Sequence, residues 1–95
     1  MHHAAFKSHG GLIRWVVFLV DENIVDATLE GDFTIYPLDA PVLLANALVG
    51  RRLSIQLRSE WETLFPCVVQ QSPGVSASDM FAPLEMIAAE IARSQ

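Results

Sequence analysis

The sequence predicts an α+β domain in which a three-stranded antiparallel sheet comes first and about three helices follow. Three observations lead there. Residues 12–36 are rich in β-branched and aromatic side chains and alternate over much of their length. After Pro37, apolar residues recur at helical spacing instead. Glycines, prolines and short acidic runs separate the segments. At 95 residues and 10.5 kDa the chain makes a single domain spanning 1–95. It has no internal repeat, no low-complexity tract and no linker.

Each element has its own justification. Ala4-Ala5-Phe6-Lys7 can form a short first strand, joined through Ser8-His9-Gly10-Gly11 to the next. Leu12 to Val20 is apolar on both parities apart from Arg14, as in a strand covered on both faces. Asp21-Glu22-Asn23 suits a three-residue hairpin loop with Asn23 in the left-handed conformation. Val25, Ala27 and Leu29 then alternate with Asp26, Thr28 and Glu30, and Phe33 and Ile35 keep the odd parity. Ile24 to Tyr36 therefore reads as one long strand bent at a Gly31 bulge.

Pro37 stops the sheet. Asp39 is placed to cap a helix with Pro41 in its first turn and Gly50 past its end. Leu57, Trp61, Leu64 and Phe65 share a face in a second helix over 55–65, ended by Pro66. Pro66 to Gly74 reads as loop. Ser76 to Asp79 resembles a capping box, and Met80, Leu84, Ile87 and Ile91 follow at helical spacing. Pro83 implies either a kink or a true start near Ala82.

Composition narrows the function classes. Hydrophobic residues make up 52% and charged residues 18%, the latter below the usual share of about 25%, so the chain is not disordered. Six Lys and Arg against eleven Asp and Glu give a net charge of −5. Arg51-Arg52 is the only adjacent basic pair, too little for a nucleic-acid stripe. The run from Leu12 to Val20 is interrupted by Arg14, lacks a small-residue cleavage site and falls short of the ~20 residues a membrane span needs. A soluble, cytoplasmic protein is expected, and the single Cys67 suits a reducing compartment.

The chemistry-bearing residues read blandly. His2, His3 and His9 lack ligand-like helical spacing near the terminus, and no metal site is expected. Cys67, among Pro66, Val68 and Val69, reads as a buried, inert thiol. Asp26, Glu30 and Asp32 share a parity and read as the solvated side of the sheet. Gly10-Gly11 opens no helix, so it is a turn and not a phosphate cradle. No catalytic constellation emerges.

A resemblance adds to this. Lys7-Ser-His-Gly10-Gly11-Leu12-Ile13-Arg14, then Asn23 to Phe33 ending in Gly31-Asp32-Phe33, then Tyr36-Pro37, resembles the C-terminal accessory domain of lipoate–protein ligases. Gly50 after the first helix and Gly74-Val75-Ser76 before the last also match. The likeness covers residues 6–50 closely and 74–93 loosely; His9 and Pro83 depart from the pattern. It implies helices packed on one face of the sheet, similar to iron–sulfur scaffold proteins. It carries over Lys7, Gly10, Gly11, Gly31, Asp32 and Phe33 as motif positions without assigning them a reaction. With Met1 at one end and Gln95 at the other, it further implies the form in which this domain is a separate small subunit. That subunit binds a large catalytic subunit, which holds lipoate and ATP, makes lipoyl-AMP and passes the lipoyl group to lipoyl-domain proteins. No cofactor is then expected on this chain itself.

A one-sided helical layer leaves the other sheet face needing cover. Ile13, Trp15, Val17 and Leu19 form one of the two apolar sets on the second strand. Trp15 is the natural anchor of a partner-binding surface, because interface hot spots favour Trp. The alternatives are a homodimeric interaction or small-ligand module burying the same face, or cover by the 66–74 loop. An iron–sulfur scaffold is excluded on cysteine count, since a cluster needs several thiolates.

Overall fold

The computed structural model describes residues 1–54 and 56–93. The chain runs β1 (His2–Ser8), β2 (Gly11–Val20), β3 (Asn23–Gly31), α1 (Ala40–Leu48), α2 (Leu57–Val68) and α3 (Ala77–Arg93). The strands form one antiparallel sheet in the order β1-β2-β3. The helices cover one of its faces. α1 lies against β3, α3 lies across β1 and β2, and α2 bridges α1 and α3. The expected α+β architecture is what the chain adopts.

β1 is longer than expected, pairing from His2↔Val17 to Ser8↔Gly11 without a break. The β2–β3 turn is tighter than expected. Asp21 and Glu22 both take positive φ, 52° and 69°, and Asn23 already pairs with Val20. Two left-handed residues give a hairpin turn whose twist matches that of the strands, so Asn23 is released to the ladder. The bulge lies at Val25 and not at Gly31. Phe18 pairs with Asp26 and Leu19 with Ile24, so Val25 is the extra residue and points outward beside Asp26.

β3 ends at Gly31. Beyond it the chain leaves the sheet, and Ile35 is buried while Tyr36 bridges to Gln71. Asp39 occupies the N-cap position of α1, but its side chain makes no cap bond; Pro41 supplies the preset first turn. α2 continues through Pro66 to Val68. So late in a helix, Pro removes only one ladder donor, and Val69 N–H still donates to the Phe65 carbonyl at 2.8 Å. The expected start of this helix at Ile55 lies outside the described residues. α3 begins at Ala77 and runs through Pro83 as one helix. The capping box forms reciprocally: Asp79 N–H donates to Ser76 Oγ at 3.0 Å, and Ser76 N–H donates to the Asp79 carboxylate at 3.1 Å. No helix among the described residues is long and apolar enough to cross a membrane.

The core lies between the sheet and the helices, and among the described residues no polar or charged one is buried in it. Trp15 sits at its centre, with its ring edge-on to Trp61 at 6.0 Å. Its indole N–H donates to the Met80 carbonyl at 2.8 Å, and that of Trp61 donates to the Ala77 carbonyl at 2.7 Å. Both indoles thus tie the first turns of α3 to the layers beneath. Trp15→Phe keeps most of the apolar volume but deletes the donor. It is expected to lower unfolding free energy by about 2 kcal/mol, measured by urea denaturation.

Candidate functional site

The residues that carry the sequence motif meet at one end of the sheet, and geometry explains why. The turn from Ser8 to Gly11 is closed by Ser8, whose hydroxyl donates to the Gly11 carbonyl at 2.8 Å. Gly10 N–H donates to Gly74 O at 2.9 Å, so the turn lies directly on the segment that enters α3. A Cβ on Gly10 would fall 2.5 Å from the Pro73 carbonyl oxygen. On the other side, Asp32 N–H donates to Leu12 O at 3.1 Å, and its carboxylate accepts from Leu12 N–H. Gly31 makes this possible with φ 145°; a Cβ there would fall 2.0 Å from Leu12 O.

Gly10, Gly11, Gly31 and Asp32 therefore form a backbone junction that ties β1, β2, the end of β3 and the start of α3 together. Phe33 follows it, half-buried against the core. Lys7 stands apart, exposed on the outer face of β1. Asp32, read as a solvated carboxylate alongside Asp26 and Glu30, is exposed as expected, and it is also the side chain that closes this junction.

The surface expectation is corrected. Ile13, Trp15 and Val17 are fully buried against the helices and Leu19 is half-buried, so this set is core and cannot meet a partner. The open face carries the other parity: Leu12, Arg14, Val16, Phe18 and Val20. Arg14 was the signal that could have settled this, because an unpaired guanidinium does not enter an apolar core. Instead it lies over Glu30 of β3 at 3.4 Å, both half-exposed. Leu12, Phe18, Val20 and Val25 remain 42–57% exposed. His3 and Lys7 flank this apolar middle on β1, and Asp26 and Glu30 flank it on β3.

Cys67 is exposed, not buried, and its thiol donates to the Thr63 carbonyl at 3.3 Å. It lies on the outward side of α2, between buried Phe65 and Val69. Among the described residues no group of three His, Cys, Asp or Glu could hold a metal ion. An open cavity of ≈ 730 Å³ lies beside α3, walled by Leu53, Phe81, Ala88 and Ile91. At its rim Arg58 pairs with Glu85 at 2.9 Å and Arg52 pairs with Glu22.

Fold and surface together define a small α+β domain with an open, amphiphilic sheet face. No family model matches the chain, and no curated protein does. Among solved structures, it is similar to a chain of an archaeal lipoylation system, described as a bipartite lipoate protein ligase and its E2 lipoyl domain from Thermoplasma acidophilum. The two are 27% identical with a TM-score of 0.79, over 88% of this chain and 93% of the other. The protein thus has the fold of a lipoylation-system component.

Two outcomes test this geometry. Gly31→Ala is expected to cost about 2–4 kcal/mol by chemical denaturation, since it meets both an unfavourable φ and the Leu12 carbonyl. The native Cys67 thiol is expected to react with a thiol reagent as fast as in the unfolded chain; strong protection would contradict its exposure.

Proposed function

We propose that this chain is the non-catalytic accessory subunit of a bipartite lipoate–protein ligase. The observation that carries this reading is the fold match to a component of such a system, extending over nearly the whole of both chains. The motif residues support it from the sequence side: of those resembling the ligase accessory domain, Gly10, Gly11, Gly31 and Asp32 converge on one structural junction. In this reading the large catalytic subunit binds lipoate and ATP in the cytoplasm. The lipoate carboxylate attacks the α-phosphorus, pyrophosphate leaves, and lipoyl-AMP forms. The amine of a lysine on a lipoyl domain then attacks the acyl carbon and AMP leaves. This chain holds neither cofactor; it docks on the catalytic subunit and raises the rate of activation.

The open sheet face has the anatomy for such docking. Its middle, Leu12, Val16, Phe18 and Val20, is apolar and its rim is charged, as in interfaces generally. Cationic Lys7 lies at one edge and acidic Asp26 and Glu30 at the other, a polarity that fixes the orientation of a partner.

A second reading within the same system has one observation of its own. Lys7 is the only lysine in the sequence and is exposed, so a lipoyl acceptor domain would be modified there. Mass spectrometry after incubation with lipoate, ATP and a complete ligase separates the two. The accessory reading expects Lys7 unmodified; a lipoyl group on Lys7 would replace it with the acceptor reading. The direct assay is lipoate-dependent ATP–pyrophosphate exchange by the catalytic subunit from the same genome. The rate is expected to rise at least tenfold on adding this chain, and an unchanged rate would refute the accessory role.

A further inference from the structure

α1 breaks a rule that the other two helices obey. A helix that is apolar all round is normally buried all round. From Ala40 to Gly50 there is no charged residue. Yet only Ala40, Leu44, Ala45 and Leu48 are buried, all against β3 and the core. On the outward side Val42 is 60% exposed, Leu43 44% and Val49 43%, and Leu38 just before the helix is 80% exposed. The outer surfaces of α2 and α3 are different in kind. Arg58 pairs with Glu62 and Glu85 there, and Arg51 with Glu60.

We propose that the outer face of α1 is a self-association surface on which a second copy of this chain packs its own α1, antiparallel, across a two-fold axis. Charge selects the occupant. Two copies, each with a net charge of −5, repel wherever carboxylates meet carboxylates. The α1 face escapes that repulsion. Asp39 precedes the helix, so the two copies of it fall at opposite ends of an antiparallel pair, and Glu60, near the Ala47 end, is ion-paired at 3.2 Å with Arg51, which itself donates to the Ala47 carbonyl.

Shape points the same way. Large and small side chains alternate along the face, with Val42 and Leu43 followed one turn later by Asn46 and Ala47. In an antiparallel pair the large residues of one copy lie over the small residues of the other, which satisfies the self-complementarity of an isologous contact. Asn46 is the one polar side chain in the seam, and such a residue fixes register. The open sheet face is of another kind, with Lys7, Arg14, Asp26 and Glu30 spread across it. It lies on the other side of the sheet from α1, so both contacts can form at once.

Sedimentation equilibrium of the full chain across the micromolar range tests this. The chain is expected to pass from its 10.5 kDa monomer to a dimer of twice that mass. Val42→Glu places two carboxylates in the seam and is expected to weaken the dimer at least tenfold. The near-UV signal of the two tryptophans should be unchanged, because Val42 is outside the core. Val49→Lys, just beyond the helix, should weaken it as well, and Phe18→Glu on the sheet face should leave it intact. A monomer at all concentrations would overturn the proposal. So would a dimer that Val42→Glu and Val49→Lys leave intact, or one that Phe18→Glu dissolves. Pyrophosphate exchange is read separately, so a monomer that still stimulates exchange would remove the dimer alone.

Discussion

The structure depends on where Trp15 places its indole N–H. Among the described residues the core buries no polar side chain, so that donor must find its acceptor on a backbone carbonyl. It finds Met80 O, so the middle of β2 is fixed to the second turn of α3. Trp61 repeats the arrangement from α2 onto Ala77 O, and the two rings meet edge to face between the donors. No buried side-chain polar atom is left without a partner among the described residues. Two hydrogen bonds and one aromatic contact therefore define how sheet, α2 and α3 sit together. The capping box and the Gly10–Gly74 crossing hold the start of α3 at the same level.

That constraint also sets what the protein offers to the outside. With Trp15 turned inward, the even-numbered residues of β2 must face out, and an apolar stripe headed by Phe18 is exposed between a cationic and an acidic edge. A domain can contribute to catalysis by binding energy alone: docking that orders a partner's active site lowers the cost of reaching the reactive geometry. The likeness to a lipoylation-system component gives this surface a context, and the outer side of α1 is a second, uncharged surface.

Much of the fold was legible because its signals are local. Alternation from Ala27 to Glu30, the capping pattern Ser76 to Asp79 and the turn at Gly10-Gly11 each specify a conformation within a few residues. What sequence misjudged depended on contacts between distant residues. The parity of β2 could not be told from two nearly equal apolar sets, and only Arg14 distinguished them. Asp32 is exposed as expected, but its closing role was hidden, because nothing local shows that Leu12, twenty residues earlier, presents an N–H to it. Pro66 and Pro83 looked like helix breakers because propensity cannot register that packing of Phe65, Leu84 and Ile87 outweighs one lost ladder bond each. Cys67 looked buried from its apolar neighbours, whereas the helix that continues past Pro66 carries it to the outside. The expectation that Val25 shares a face with Ala27 failed at a bulge, which no alternation pattern shows.

The central claim is that the open sheet face binds the catalytic subunit of a lipoate–protein ligase. Titration calorimetry of this chain into that subunit, taken from the same genome, tests it most directly. The account predicts saturable binding with one accessory chain per catalytic chain, a negative heat-capacity change from apolar burial, and loss of that binding in Phe18→Glu. Binding of equal strength by Phe18→Glu and wild type, or no binding by either, would contradict it.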